Sequence, residues 1–244
     1  MKKILYTYYM YNMYNMYNMY NIEKKKEKKE KKEKGDDFIF PFSTCETPKK
    51  EGIAQPYSVF VNIISIFVIL YFLFQTKNTY PFLLLLSLLT FECVHTFSHA
   101  IHLPSYIQIN MIHSVAFIIN IFYLLTLYHY THQVPNTYFL IFLLCLFFFD
   151  VYSFMFLSFI YYFSSSMIIF FSILIYYYQY IPKNKQSYII TILLLGFSIM
   201  FIFYNEKYNC NNMLKMVPGF PFHALLELNG TFIFYFLCKF FYQM

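Results

Sequence analysis

Residues 82–103 read F-L-L-L-L-S-L-L-T-F-E-C-V-H-T-F-S-H-A-I-H-L. The first half of this stretch is almost wholly apolar. The second half carries Glu92, His95, Ser98, His99 and His102. As a helix the run would be about 33 Å long, and a helix that crosses a bilayer needs about 20 largely apolar residues. The same residues therefore pose two questions, what fold holds so long an apolar run and why ionisable groups interrupt it.

Six further runs of similar character follow or precede it, so the expected spans are 57–75, 82–103, 108–129, 137–157, 160–181, 187–204 and 220–242. Pro56, Pro81, Pro104, Pro135, Pro182, Pro218 and Pro221 lie at the boundaries or in first turns, where a missing amide donor is tolerated. Tyr57, Tyr80, Tyr106, Tyr138 and Tyr180 sit at run ends, as suits the membrane interface. Backbone groups in hydrocarbon must be satisfied within the structure, which leaves helices or closed barrels. Strict alternation is absent and the runs are too long for barrel strands. Composition agrees: 59% of the chain is hydrophobic and 12% charged, against about 45–50% and about 25% in soluble domains. The expected fold is an all-α polytopic membrane protein, a seven-transmembrane helix bundle over 57–242.

Residues 1–37 are a different material. Y-N-M repeats over 11–19 are followed by a lysine–glutamate block, and ten of the eighteen lysines lie before residue 38. This reads as a low-complexity, disordered tail, joined through a pre-membrane segment, 38–56, to the spans. The charge of +6 rests wholly on lysine. Interleaved with glutamate and without a structured groove, it argues against nucleic acid as a partner, although clustered lysines near a bilayer can touch anionic lipid. Cys93, Cys145 and Cys238 fall in apolar runs and read as small hydrophobes. Cys45 and Cys210 lie outside the spans and can pair if both face an oxidising compartment.

Ionisable groups at hydrocarbon depth are costly and mark functional sites. Helix neighbours lie three or four residues apart, so Glu92, His95, His99 and His102 form one stripe with Ser98 beside it. The short connection at Pro104 lets His113 of the third span meet the second. His223 and Glu227 share a face of the last span. Such a set can place three or four ligands around one cation, and zinc commonly takes three protein ligands and a water in a hydrolytic site. Two other readings stay open, a polar packing network without metal and a proton or ion pathway. Asp150 stands alone in the fourth span as a structural partner. His129 and His132 lie at a membrane edge, solvated, and Asn62 and Asn229 are placed for hydrogen bonds between helices.

Several of these features together resemble the alkaline ceramidases and, more distantly, the wider membrane-hydrolase superfamily that includes progestin and adiponectin receptors and lipid-remodelling factors for GPI anchors. Cys45-Glu46, then Ile53-Ala54-Gln55, then Asn62 and Ser65 are similar to the family's C-E, I-A-E and N-x-x-S segments. Ser98-x-x-x-His102 is similar to its S-x-x-x-H on the second span, and His223-x-x-x-Glu227 falls where it has H-x-x-x-H on the last. The resemblance implies hydrolysis of the ceramide amide to sphingosine and fatty acid in an endomembrane. It implies zinc ligands at His102, His223 and Glu227, with His99 the alternative to His102. Ser98 would hold the developing oxyanion, and Glu46 would belong to a calcium-binding region. The chain departs from the pattern at Glu227, which replaces a histidine, and at Gln55, which replaces a carboxylate. His113 stands at about the place of the family's third-span aspartate, where an imidazole can act as a general base. His95 and Glu92 are supporting groups. Against a lipid-amide hydrolase stand two further classes, a receptor-like protein that keeps the fold and a transporter with a polar path to both faces.

Overall fold

The computed structural model describes Cys45, Lys49 and residues 52–101, 105–157 and 159–242; for 105–113, 159 and 160 it describes the backbone alone. Glu46 and His102 lie outside the described residues, as does the side chain of His113.

Among the described residues there are seven helices and no strand: α1 Pro56–Leu73, α2 Thr79–Ala100, α3 Ser105–Thr131, α4 Thr137–Phe156, α5 Phe159–Tyr178, α6 Lys183–Met216 and α7 Phe222–Tyr242. All seven are long and apolar enough to cross a membrane. The chain is an integral, multi-pass membrane protein with an all-α, seven-helix fold. The long apolar stretch over 137–181 divides at Leu157, whose backbone is extended after α4. Pro56 opens α1, and Asn136 caps α4 by accepting a hydrogen bond from the Phe139 amide at 2.8 Å.

The sixth expected span, 187–204, lies inside a longer helix. Helix α6 has 34 residues, about 51 Å at the α-helical rise, well beyond a hydrocarbon core of about 30 Å. Polar residues from Asn205 to Asn212 continue the helix past the apolar run and carry Glu206 and Cys210 with them. Helicity does not stop where hydropathy falls, because the backbone bonds close within the segment in either medium.

Contacts between neighbours run α1–α2–α3–α5–α6–α7 and back to α1, closing a ring of six helices, and α4 packs against α5. The apolar core fills one end of this ring, where Ile69, Leu85, Leu127, Ile173, Ile189 and Phe240 are fully buried. Outward, Phe60, Phe67 and Phe74 recur every seven residues on or just after α1 and are all mostly exposed, a stripe on one helix face that meets lipid. At the other end of the ring many of the buried residues are polar. They include Gln55, Asn62, His99, Glu206, His223 and Glu227.

Candidate metal centre

The polar end gathers where α2 stops and α1 and α7 begin. The segment before α1 docks on the end of α2: the Ala54 and Gln55 amides donate to Ala100 O and His99 O at 3.3 and 3.1 Å. Those carbonyls belong to the last turn of a helix and lack intrahelical partners, so the docking satisfies them. It also brings the Gln55 side chain, fully buried, against the His99 ring, whose Nδ1 contacts Gln55 Oε1. An amide oxygen can only accept. Nδ1 therefore carries the proton, and Nε2 of His99 presents a lone pair.

The same logic fixes His223, one residue into α7. Its Nδ1 donates to Glu206 Oε2 at 2.9 Å, which turns Nε2 inward, 3.0 Å from Glu227 Oε1. Glu227 sits one turn further along α7. Its Oε1 also stands 3.4 Å from His99 Nε2 and 3.6 Å from His95 Nε2, and the two imidazole Nε2 atoms are 3.1 Å apart. With the Asn62 amide turned so that its nitrogen faces the carboxylate, Asn62 donates to Glu227 Oε2 at 3.1 Å. Oε1 is thereby left to the histidines. Glu92 Oε2 lies 3.9 Å from His95 Nδ1, an ion-pair distance rather than a hydrogen bond.

Glu227 Oε1 thus faces three imidazole nitrogens, two of which have their protons on the far side. Such a centre is satisfied by a proton, on the carboxyl or on an inner nitrogen, or by a cation between them. His95, His99 and Glu227 bring one ligand atom each within 4.8 Å of one another and could hold a metal ion. Zinc binds nitrogen at about 2.0–2.1 Å and carboxylate oxygen at about 2.0–2.2 Å in tetrahedral geometry, which puts ligand atoms about 3.3–3.5 Å apart. The separations of 3.1, 3.4 and 3.6 Å bracket that value. The donor set and its spacing fit the ion.

Beside these groups a cavity of about 230 Å³ opens among α2, α3, α5, α6 and α7. Glu92, His95, His223 and Glu227 line one part of it, and side chains such as Phe163, Phe170, Phe203 and Leu237 line the rest.

The structure brings together His99, His223, Glu227 and, as members of the same centre, the supporting residues His95 and Glu92. Ser98 is buried, but its hydroxyl donates back to Val94 O at 2.9 Å and it does not line the cavity. Cys45 and Cys210 are joined as a disulfide. Cys238 is buried as expected of a small hydrophobe, whereas Cys93 and Cys145 are exposed. Asn229 donates to Leu225 O of its own helix and not to a neighbouring one. His129 and His132 are exposed. Two contributors escape a reading of the sequence. Glu206 lies in a polar stretch that reads as a loop, and Gln55 reads as a lost carboxylate.

Comparison with protein-family models, with curated proteins and with solved structures finds no match for this chain.

Proposed function

We propose that the protein is a zinc-dependent membrane hydrolase of a lipid amide bond, cleaving ceramide to sphingosine and a fatty acid. The observation that carries the reading is the convergence of His95 Nε2, His99 Nε2 and Glu227 Oε1 beside a largely apolar cavity. Two histidines and one carboxylate are a ligand set that leaves a fourth position for water or substrate. The resemblance to alkaline ceramidases supplies the substrate class.

Zinc held there would lower the pKa of a bound water toward neutrality and polarise a carbonyl oxygen. The chain's own groups do the rest. Gln55 and Asn62 orient His99 and Glu227, as outer partners of metal ligands do. The apolar part of the cavity takes acyl chain and holds the amide at the polar part. His223 lines the cavity with its Nε2 inward and its Nδ1 on Glu206, a carboxylate–imidazole dyad suited to moving one proton. Water attacks the amide carbon and gives its proton to His223 Nε2. The same nitrogen returns a proton to the departing amine as the C–N bond breaks.

The test is metal analysis of chelator-free protein in lipid nanodiscs, with turnover of a fluorescent ceramide. Intact protein is expected to hold one zinc per chain, His95→Ala and His99→Ala none, and His223→Ala to keep zinc without turnover. Absence of zinc from the intact protein sinks the reading. Loss of zinc from His223→Ala but not from His95→Ala reassigns the ligands and leaves the metal.

A further inference from the structure

Glu206 lies 17 residues before His223, in the part of α6 that outruns the apolar core. It is 3% exposed, and each of its carboxylate oxygens has a separate donor. Oε2 accepts from His223 Nδ1 at 2.9 Å, and Oε1 accepts from the backbone amide of Cys45 at 3.2 Å. Cys45 is itself tied to α6 by the disulfide to Cys210, one turn beyond Glu206, with the two Cα atoms 5.3 Å apart. Cys45 is thus strapped to the polar part of α6, and its amide occupies the carboxylate oxygen that His223 does not use.

We propose that Glu206 is the positioning residue of His223, and that the Cys45–Cys210 strap holds Glu206 in the orientation that does this. The inference rests on the metal-hydrolase reading above. Its physical content is a matter of donors and acceptors. A carboxylate accepts through both oxygens, so it serves two N–H donors at once and leaves His223 with its proton on Nδ1 and a lone pair on Nε2. Glutamine has one acceptor and one donor end. If the Cys45 amide takes its oxygen, its NH₂ faces Nδ1, which must then be the lone-pair nitrogen, and the proton moves to Nε2. The imidazole is still in place but is the wrong tautomer to accept a proton. The same change in a serine-protease triad costs about 10⁴-fold in kcat with the geometry intact.

The experiment uses the full chain in nanodiscs as wild type, Glu206→Gln, Glu206→Asp and the pair Cys45→Ser/Cys210→Ser. Three quantities are read: zinc content, kcat and KM on a fluorescent ceramide, and the histidine ¹⁵N spectrum, with His223 identified by its loss in His223→Asn. Glu206→Gln is expected to keep zinc and KM, to lower kcat by about 100-fold or more, and to move the His223 proton from Nδ1 to Nε2. Glu206→Asp keeps both acceptor oxygens and recovers at least about 10-fold of that loss. The double serine variant keeps zinc and loses about 3- to 10-fold in kcat, because Glu206 is no longer held from behind. Wild-type kcat in Glu206→Gln overturns the proposal, and so does loss of zinc there, which would make Glu206 part of metal binding. Wild-type kcat in the double serine variant removes the strap. Should Glu206→Gln not fold, Glu206→Asp decides alone: kcat below wild type with zinc retained supports the role, and unchanged kcat ends it. Wild type without zinc fails the metal reading itself, a result distinct from all of these.

Discussion

Glu227 on α7 and Asp150 on α4 are both carboxylates inside apolar helices, 6% and 1% exposed, yet their surroundings differ in kind. Asp150 accepts a hydrogen bond at 2.5 Å from Ser165 of the neighbouring α5. Glu227 meets three imidazole nitrogens from α2 and α7 on one oxygen and the Asn62 amide of α1 on the other. Helix α4 packs outside the ring and leaves most of its surface to lipid, whereas half of α7 is buried. Burial alone therefore does not make a site. A carboxylate beside a hydroxyl finds a donor and is satisfied. A carboxylate beside nitrogens whose protons are held elsewhere leaves a place for a cation.

That contrast can be broken by making one chemical change at both places. Glu227→Gln removes the anionic oxygen at the hub of the network and should lower zinc affinity by at least about 100-fold, more than the loss of an outer partner brings. Asp150→Asn keeps an oxygen that Ser165 can donate to. Zinc affinity should be unchanged and stability altered by less than about 1 kcal/mol, the scale of single polar contacts between membrane helices. Competition with a fluorescent zinc chelator measures the first quantity, and unfolding in mixed micelles the second. Equal losses of zinc from the two variants would erase the distinction between the carboxylates.

The fold was largely legible in the sequence because the bilayer imposes length. Seven apolar runs, punctuated by proline, correspond to the seven helices, and only the polar extension of α6 was missed. The site was legible in part. Three- and four-residue spacing places Glu92, His95 and His99 on one face of α2, and His223 with Glu227 on one face of α7, by helix geometry alone. Spacing within a helix does not say which members of a stripe turn toward another helix. That choice is made by the outer partners: Gln55 reaches His99 because the chain before α1 docks on the end of α2, and Glu206 reaches His223 because α6 continues past the membrane core. Both depend on contacts far apart in sequence, which no local pattern encodes.

Gln55 lies behind the charged centre, on the far side of the His99 ring. It holds the His99 ring by Nδ1 and its own backbone amide holds His99 O. Gln55→Ala removes the first contact and keeps the second, so helix docking survives while the ring is released. Zinc affinity should fall by about 10-fold, the lower end of what outer partners of metal ligands contribute. Gln55→Glu retains an acceptor for Nδ1 and should bind zinc at least as tightly as wild type. The pair of variants, read by chelator competition, separates a hydrogen-bonding role from simple filling of space. Equal weakening in both would assign Gln55 to packing.

The smallest effect belongs to the other half of the bundle. Asn120 of α3 is 3% exposed and donates to Ser166 Oγ of α5 at 3.0 Å, across one of the contacts that close the ring. Both residues line the cavity, and among the described residues neither has a charged hydrogen-bond partner. In a membrane the unfolded helices also find partners for an amide, so such a contact averages about 0.6 kcal/mol. Asn120→Ala should lower stability by about that amount, leave zinc affinity where it was, and enlarge the cavity beside α3. Unfolding in mixed micelles with zinc competition on the same preparation checks both at once. If Asn120→Ala instead weakened zinc as Gln55→Ala is expected to, the site would extend across the cavity to α3. The division between a charged centre on α1, α2, α6 and α7 and a structural polar contact on α3 and α5 would then have to be redrawn.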